Sequence, residues 1–335
     1  MGMKTKIAIA LGAMALSVAS GTAYAAPITP PGEEAGLNAA SPLPEGVYWV
    51  NIFGTGGDYL VDDKRSNLTF DVPAFVWATP WQVNFFGFTG RFEVIAAPPI
   101  IGNVGIAASP GAVCTSSTCR DFTAMYNPFG EAGFAWDLGN GWGFSSFDGG
   151  YAPVDNELRL FGQNIWVYNN RSWLGWSGNI FPGSMKDGGD AIKGTIAVEN
   201  VYGVTGNDLQ TGLRVKPDYD NVNLGAWATI GKWNVGLVAF YSTDLENFAY
   251  GPGQCGGVNP SATVVKRCAQ ARAAIGPLIQ YDFTGISVQA NYTFDVYDEN
   301  YRNLDGSRMQ INQFWLKTII ALWNPPVLEP TTYKK

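Results

Sequence analysis

The pattern of hydrophobic and polar residues has a period of two over segments that are long for strands. Between Ile286 and Val296 every second residue is apolar, and each residue between them is polar. Successive side chains of a strand point to opposite faces, so this segment would have one apolar and one polar face. Soluble strands usually have about 5–6 residues, whereas a tilted strand that crosses a bilayer needs about 9–11. The segment is therefore predicted to span a membrane.

The same alternation recurs along the chain and predicts hairpins wherever two such segments flank a short turn. The predicted hairpins are 273–283 with 286–296, 222–230 with 233–241, and 132–138 with 142–144. Further alternating segments cover 86–94 and 192–202, and strands are also predicted at 47–53 and 70–78. The fold class that follows is all-β, a transmembrane antiparallel up-and-down β-barrel of the bacterial outer membrane with about 12 strands. Three polar stretches, 109–130, 169–190 and 243–271, are predicted loops.

The order of residue types at the N-terminus divides the chain into four parts. Basic Lys4 and Lys6, an apolar run and Ala23-Tyr24-Ala25 are typical of a secretory signal peptide, which predicts a cleaved segment 1–25. Five prolines in 26–45 predict an extended lead. The barrel is predicted over 46–323 and a tail over 324–335.

Composition excludes several classes of function. The formal net charge of -7 argues against nucleic acid as a partner, because nucleic-acid binding requires a basic surface. The chain contains no histidine, which excludes Ser-His-Asp catalysis, imidazole metal sites and the commonest general base. No spaced carboxylate or phosphate-binding motif is present, so we expect no enzyme activity, no cofactor and no metal.

Four charged residues have the parity of the predicted polar face. Arg91, Glu93, Lys193 and Glu199 would face the lumen if the apolar faces contact lipid. They are candidates for lining a pore. Internal salt bridges that only fill the barrel explain them equally well.

The four cysteines fall in two predicted loops. Export would place them in an oxidising compartment, so Cys114 with Cys119 and Cys255 with Cys268 are candidate disulfides within loops. We place these loops on the outer side of the membrane, where the loops of such barrels are long.

Several segments resemble the family associated with the meta-pathway of phenol degradation, whose members are outer-membrane barrels akin to hydrocarbon transporters. The resemblance lies in Glu45-Gly46-Val47-Tyr48-Trp49-Val50-Asn51, in 134–136 before 141–143, in 276–282, and in 303–306 with Phe314-Trp315-Leu316-Lys317. It implies passage of small apolar or aromatic compounds across the outer membrane of a Gram-negative bacterium.

The chain departs from this family in two places. Ser146-Phe147-Asp148 replaces a frequent Pro-Thr-Gly, and the chain continues past Trp323. The lead is also short for the plug of fatty-acid-type transporters, which predicts a lumen without a plug.

The favoured function is thus a channel or transporter whose partners are outer-membrane lipid and small apolar molecules. A secreted soluble β-sandwich that binds ligands and a non-conducting structural barrel remain alternatives.

Overall fold

The computed structural model describes residues 29–60, 64–102, 106–107, 119–120, 123–155, 164–181, 192–209, 212, 214, 216–250, 266–300 and 311–325. Twelve of the described strands form a barrel. They are β1 (Gly46–Leu60), β2 (Lys64–Phe85), β3 (Phe88–Ala97), β4 (Phe129–Gly139), β5 (Trp142–Tyr151), β6 (Ile165–Phe181), β7 (Ile192–Asp208), β8 (Tyr219–Ile230), β9 (Trp233–Asp244), β10 (Ala271–Phe283), β11 (Ile286–Glu299) and β12 (Asn312–Trp323).

The sheet closes because each barrel strand pairs antiparallel with its two neighbours in the barrel. β1 pairs on one side with β2, where Val50 is opposite Ala74, and on the other side with β12, where Val50 is opposite Ile319. The remaining strands follow in chain order. The predicted up-and-down barrel of about 12 strands is confirmed.

Tight turns join strands at one end of the barrel. β2 and β3 are joined at Phe86-Gly87, β4 and β5 at Asn140-Gly141, β8 and β9 at Gly231-Lys232, and β10 and β11 at Thr284-Gly285. Asn140 and Gly141 both have positive φ, 53° and 82°, as a type I′ hairpin requires. Five of the six connections at the opposite end have ten residues or more, the exception being 61–63 between β1 and β2, and the β6–β7 connection 182–191 is the one long connection at the turn end. The predominance of long connections at the opposite end identifies the turn end as periplasmic.

The outer face of the barrel is apolar and the inner face is largely polar. On β11 the side chains of Ile286, Tyr292, Phe294 and Val296 are exposed, whereas Gln289, Asn291 and Thr293 are buried. β9 has the same character, since Val235 and Leu237 are exposed and Asn234 and Ser242 are buried. An exposed apolar surface on a closed antiparallel sheet is the surface that contacts lipid. The barrel therefore lies in the outer membrane.

The structure corrects two predictions. β6 covers Ile165–Phe181, so the predicted loop 169–190 is wrong for 169–181. The alternative of a soluble β-sandwich is also wrong, because the barrel strands form one closed sheet and not two packed sheets. β1 and β2 are longer than the predicted strands.

Six short strands lie outside the barrel wall or extend it. Ile100–Gly102 pairs with β2 and with Ala124–Met125, Ile106–Ala107 pairs with Cys119–Arg120, and Phe248–Tyr250 pairs with Lys266–Cys268. No helix within the described ranges is long and apolar enough to cross a membrane.

The lower half of β2 has an irregularity. Between Ala78 and Gln82 the register with β3 shifts, and Pro80 lies within the shifted stretch. Proline has no N–H to donate to a sheet, so this position suits a bulge. The Thr79 carbonyl accepts a hydrogen bond from Arg91 of β3.

Candidate functional site in the barrel lumen

The N-terminal lead runs through the inside of the barrel. Leu43 donates its N–H to the Glu93 carboxylate of β3 at 2.8 Å, near the turn end. Further in, Gly32 donates its N–H to Asn223 of β8 at 3.0 Å. Residues 29–45, which we call the lumen segment, therefore climb from the periplasmic end into the lumen. The expectation of a lumen without a plug is wrong.

The lumen segment fits closely against the wall at Gly36. This residue has φ +88°, and a Cβ added to it would lie 2.3 Å from the Leu278 side chain and 2.8 Å from Gln289. The preceding carbonyl, that of Ala35, accepts hydrogen bonds from Gln289 of β11 and Lys317 of β12. A residue larger than glycine would overlap Leu278 of β10 and Gln289 of β11 and push the segment away from the wall.

Arg171 of β6 is the centre of a buried ion cluster that joins the lumen segment to the wall. Its guanidinium lies 3.2 Å from Glu33, 2.9 Å from Glu131 of β4 and 3.9 Å from Glu199 of β7, and it also pairs with Glu34. All five side chains are 18% exposed or less. Four carboxyl groups thus share one guanidinium.

A neutral polar network holds the upper end of the lumen segment. The Thr29 hydroxyl lies 2.9 Å from the Tyr219 hydroxyl and accepts a hydrogen bond from Asn169 at 3.0 Å. Its carbonyl accepts a hydrogen bond from Asn221 at 3.0 Å. Tyr151 contributes a longer contact of 3.4 Å. These side chains belong to β5, β6 and β8, so the network links three strands to Thr29.

The wall opposite the ion cluster has its own buried ion pair. Arg272 of β10 donates to Asp295 of β11 at 2.7 Å and to Gln313 of β12 at 3.1 Å. Its guanidinium also lies over the Phe240 ring at 5.0 Å. This pair joins β10 to β11 and, through Gln313, to β12.

One sector of the inner face has apolar side chains at several successive inward positions, whereas elsewhere inward apolar side chains such as Val201 and Val238 lie among polar ones. It follows β1, β2 and β3 along the height of the lumen, and we call it the apolar stripe. It consists of Tyr48, Val50, Ile52, Val72, Ala74, Val76, Ala78, Ile95 and Ala97. At the loop end it continues into Ile101, Ala124, Tyr126 and Phe129. The interior of outer-membrane barrels is usually polar, so this sector is unusual.

A cavity of about 570 Å³ lies at the periplasmic end of the lumen. On one side it is lined by Pro42, Leu43 and Pro44 of the lumen segment, and on the other by Arg91, Trp142 and neighbouring polar side chains. Leu43 also packs against the apolar stripe. The cavity and the stripe therefore meet at Leu43.

The structure places the predicted lumen residues as follows. Glu93 and Glu199 are buried on the inner face, with 4% and 0% of their surface exposed. Arg91 is on the inner face beside the cavity and 3.9 Å from Glu45. Lys193 has the inner parity but is exposed at the start of β7. A role for these four in selecting a solute stays a prediction.

Arg171 and Lys317 were not singled out as site residues from the sequence, although both contact the lumen segment. Arg171 lies in a stretch that was predicted to be a loop, because Asn169, Asn170 and Ser172 surround it and hide the alternation. Lys317 has the correct parity on β12, which was the available signal.

The cysteine pairings lie largely outside the described part of the chain. Cys114 and Cys255 are outside the described residues, and of Cys119 only the backbone is described. Cys268 is buried at the end of a short strand. Both disulfides stay predictions, as does the signal peptide 1–25, which is also outside the described residues.

The chain has no histidine. Among the described residues no group of three or more cysteine, aspartate or glutamate side chains could hold a metal ion. The arrangement of the site can close, line or gate a pathway, and it can bind an apolar solute along the stripe.

Comparisons with known proteins place the fold. The chain is similar to the crystal structure of an outer membrane channel from Pseudomonas putida F1, with a TM-score of 0.56, 10% identity, and coverage of 85% of this chain and 98% of that one. It is also similar to the transport unit of the autotransporter AIDA-I from Escherichia coli, with a TM-score of 0.43, 9% identity, and coverage of 93% and 98%. The first likeness shows a shared outer-membrane barrel fold.

No family model matches the chain, and no curated protein matches it. Membership of the phenol-degradation family is therefore not confirmed.

Proposed function

We propose that this protein is an outer-membrane channel for small hydrophobic or aromatic compounds. The observation that carries the proposal is the apolar stripe, which runs along the lumen wall on β1, β2 and β3. A polar, water-filled pore offers an apolar molecule no gain over bulk water, whereas contact with apolar side chains removes its surface from water. A continuous apolar sector therefore favours apolar solutes.

The stripe is continuous with apolar side chains at one end and with a cavity at the other, which supports a route. At the loop end it continues into a cluster that includes Phe129 and Tyr126. At the periplasmic end it reaches Leu43 and the cavity of about 570 Å³. A solute would leave the stripe at Leu43 and pass into this cavity.

The lumen segment makes the described conformation a closed one. Its contacts reach β3 through Leu43, β6 through Glu33 and β12 through Ala35. Passage along the stripe would require the segment to shift away from β1 to β3 while some of its polar contacts hold. On this side the Leu43 N–H bonds to Glu93 and the Tyr48 hydroxyl donates to the Pro44 carbonyl at 2.8 Å, so these two hydrogen bonds would have to break for the segment to shift.

The likeness to an outer membrane channel supports the proposal at the level of fold. The likeness carries no information on which solutes this chain transports. The choice of apolar solutes rests on the stripe and on the family resemblance of the sequence.

A non-conducting structural barrel is the second candidate. The buried cluster around Arg171 favours it, because four carboxylates and a filled lumen would hold the wall together without any pathway. The two candidates differ in whether removal of the lumen segment opens a conducting pore.

Single-channel recording in planar bilayers separates them. The full-length protein should give small, infrequent openings, and Gly36→Val should raise the conductance, because its side chain would overlap Leu278 and displace the segment. Gly87→Val, at a turn where an added Cβ meets nothing within 4 Å, is the matched control. Silent bilayers with both variants, when both variants show the heat-dependent gel shift of a folded barrel, would favour the structural barrel.

A further inference from the structure

A polar patch lies on the outer, lipid-facing side of the barrel. The Asp148 carboxylate of β5 accepts hydrogen bonds from Tyr168 at 2.5 Å and from Asn170 at 2.9 Å, both on β6. On β7 and β8, Asn200 donates to Asp220 at 2.6 Å. We call this the β5–β8 patch, and its members are Ser146, Asp148, Tyr168, Asn170, Ser172, Asn200 and Asp220.

The patch faces outwards because its residues alternate with buried ones. Asn170 lies between the buried Asn169 and Arg171 on β6, and Asn200 lies between the buried Glu199 and Val201 on β7. The next outward residues on these strands include Leu174, which is 46% exposed, and Ile196, which is 50% exposed. The patch therefore belongs to the same surface as the apolar belt.

The patch lies within the depth of the membrane. Asp148 is six residues from Trp142, which adjoins the periplasmic turn, and a strand that rises about 3.3 Å per residue at a tilt of about 40° climbs roughly 15 Å over that distance. The apolar band of such a barrel is about 25 Å tall. On β7, Val198 flanks Asn200 on the periplasmic side and the exposed Tyr202 flanks it on the other.

Lipid is an unfavourable neighbour for this patch. Ser146, Ser172 and Asn170 bond to one another, at 3.2 to 3.3 Å. The carboxylates of Asp148 and Asp220 receive hydrogen bonds, but the described residues place no lysine or arginine beside either of them. Carboxylates in hydrocarbon require further donors.

A second copy of the chain can supply those donors. Two upright copies in one membrane are related by an axis along the membrane normal, and a contact of this kind is self-complementary. If the axis passes near β6, β5 of one copy faces β7 of the other, so Asp148 would face Asn200. Each asparagine amide has two N–H donors, and one of those of Asn200 is used by Asp220.

The heights of Asp148 and Asn200 in the membrane agree with this arrangement. Ser146, Ser172 and Asn200 form one register row across β5, β6 and β7. The parallel row that starts at Trp142, beside its turn, reaches β8 at Ala226, four residues before Ile230, so the rows rise from β5 to β8. With strands about 4.8 Å apart and tilted by about 40°, a row rises roughly 3 Å per strand. Asn200 is thus about 6 Å above Ser146 and level with Asp148.

We propose that the β5–β8 patch is the interface of a homodimer in the outer membrane, in which Asp148 of each copy accepts a hydrogen bond from Asn200 of the other. The proposal is independent of what the lumen carries.

Cysteine crosslinking in intact membranes tests it. Ser172→Cys, near the predicted axis, should give a disulfide-linked dimer under mild oxidation, in more than half of the protein. Leu316→Cys on β12, on the opposite side of the barrel, is the matched control and should remain monomeric. Crosslinking of neither variant, or of both equally, would overturn the proposal.

The mass in detergent gives a second readout. The full-length protein should have twice the monomer mass, and the double variant Ser172→Leu with Asn200→Leu should be monomeric while it keeps the gel shift of a folded barrel. A wild-type monomer that carries bound phosphorylated glycolipid, or a crosslink from position 172 to another protein, would assign the patch to another partner and overturn the dimer.

Discussion

The Arg171 guanidinium lies 3.2 Å from the Glu33 carboxylate, which joins the inner wall of the barrel to the lumen segment. The same guanidinium contacts Glu131 of β4 and Glu199 of β7. One side chain on β6 therefore links the lumen segment to the wall and provides the cation for the buried carboxyl groups of β4 and β7.

Removal of this cation should destabilise the barrel strongly. Arg171→Met leaves several buried carboxylates without a partner, and the loss of one partner of a buried ion pair costs about 3–5 kcal/mol. Urea unfolding in lipid vesicles, followed by tryptophan fluorescence, measures the change. Glu45→Gln is the control, because Glu45 is 35% exposed and 3.9 Å from Arg91, and surface pairs contribute only about 0–1 kcal/mol. Equal losses in the two variants would contradict the assigned role of Arg171.

The depth of a residue in the membrane predicts how much a charged substitution on β11 lowers the free energy of unfolding. Ala290→Arg should destabilise by about 2–4 kcal/mol, since Ala290 faces lipid near the middle of the bilayer, and Val296→Arg by about 0–1 kcal/mol, since it lies near the interface. Reversible folding into vesicles provides both values. A greater loss at Val296 than at Ala290 would place the membrane boundaries elsewhere.

Local patterns were sufficient for most of the barrel. The hairpin of β10 and β11 was predicted because a clear alternation and the turn at Thr284-Gly285 lie within one short stretch. β6 was not, because both of its faces carry polar residues in the middle: Asn169 and Arg171 point into the lumen, and Asn170 and Ser172 point outwards. The signal that fails there is the same one that reveals the β5–β8 patch.

The ion cluster in the lumen could not be predicted from local sequence patterns, for a different reason. The ion cluster joins Glu33, Glu131, Arg171 and Glu199, which lie on four separate parts of the chain, so only the closed barrel brings them together. The prolines of the lead predicted an extended segment. They carried no information on where it runs, because many of its contacts use backbone groups such as the Gly32 N–H and the Ala35 carbonyl.

The cysteine pairings can be checked directly. Peptide mass spectrometry without reduction should find Cys114 linked to Cys119 and Cys255 linked to Cys268, with no free thiol, because export exposes all four to an oxidising compartment. Links between the two loops would show instead that the loops meet at the outer end of the barrel.

The apolar stripe should determine which solutes pass. Val72→Thr replaces a methyl group by a hydroxyl at almost constant volume. Because a buried methylene contributes about 0.8 kcal/mol, the uptake rate of a dilute apolar aromatic compound should fall several-fold. Val296→Thr, on the lipid-facing side of β11, is the control and should leave uptake unchanged. A similar loss with both variants would indicate lower protein levels and not a change in the pathway.

The central claim is that the barrel passes small apolar compounds along this stripe, and uptake by intact cells tests it most directly. Initial uptake of a radiolabelled aromatic hydrocarbon at low concentration should be slower in a deletion strain and restored by the wild-type chain, with Gly36→Val restoring it at least as fully. Equal uptake by the deletion strain and its parent would contradict the account.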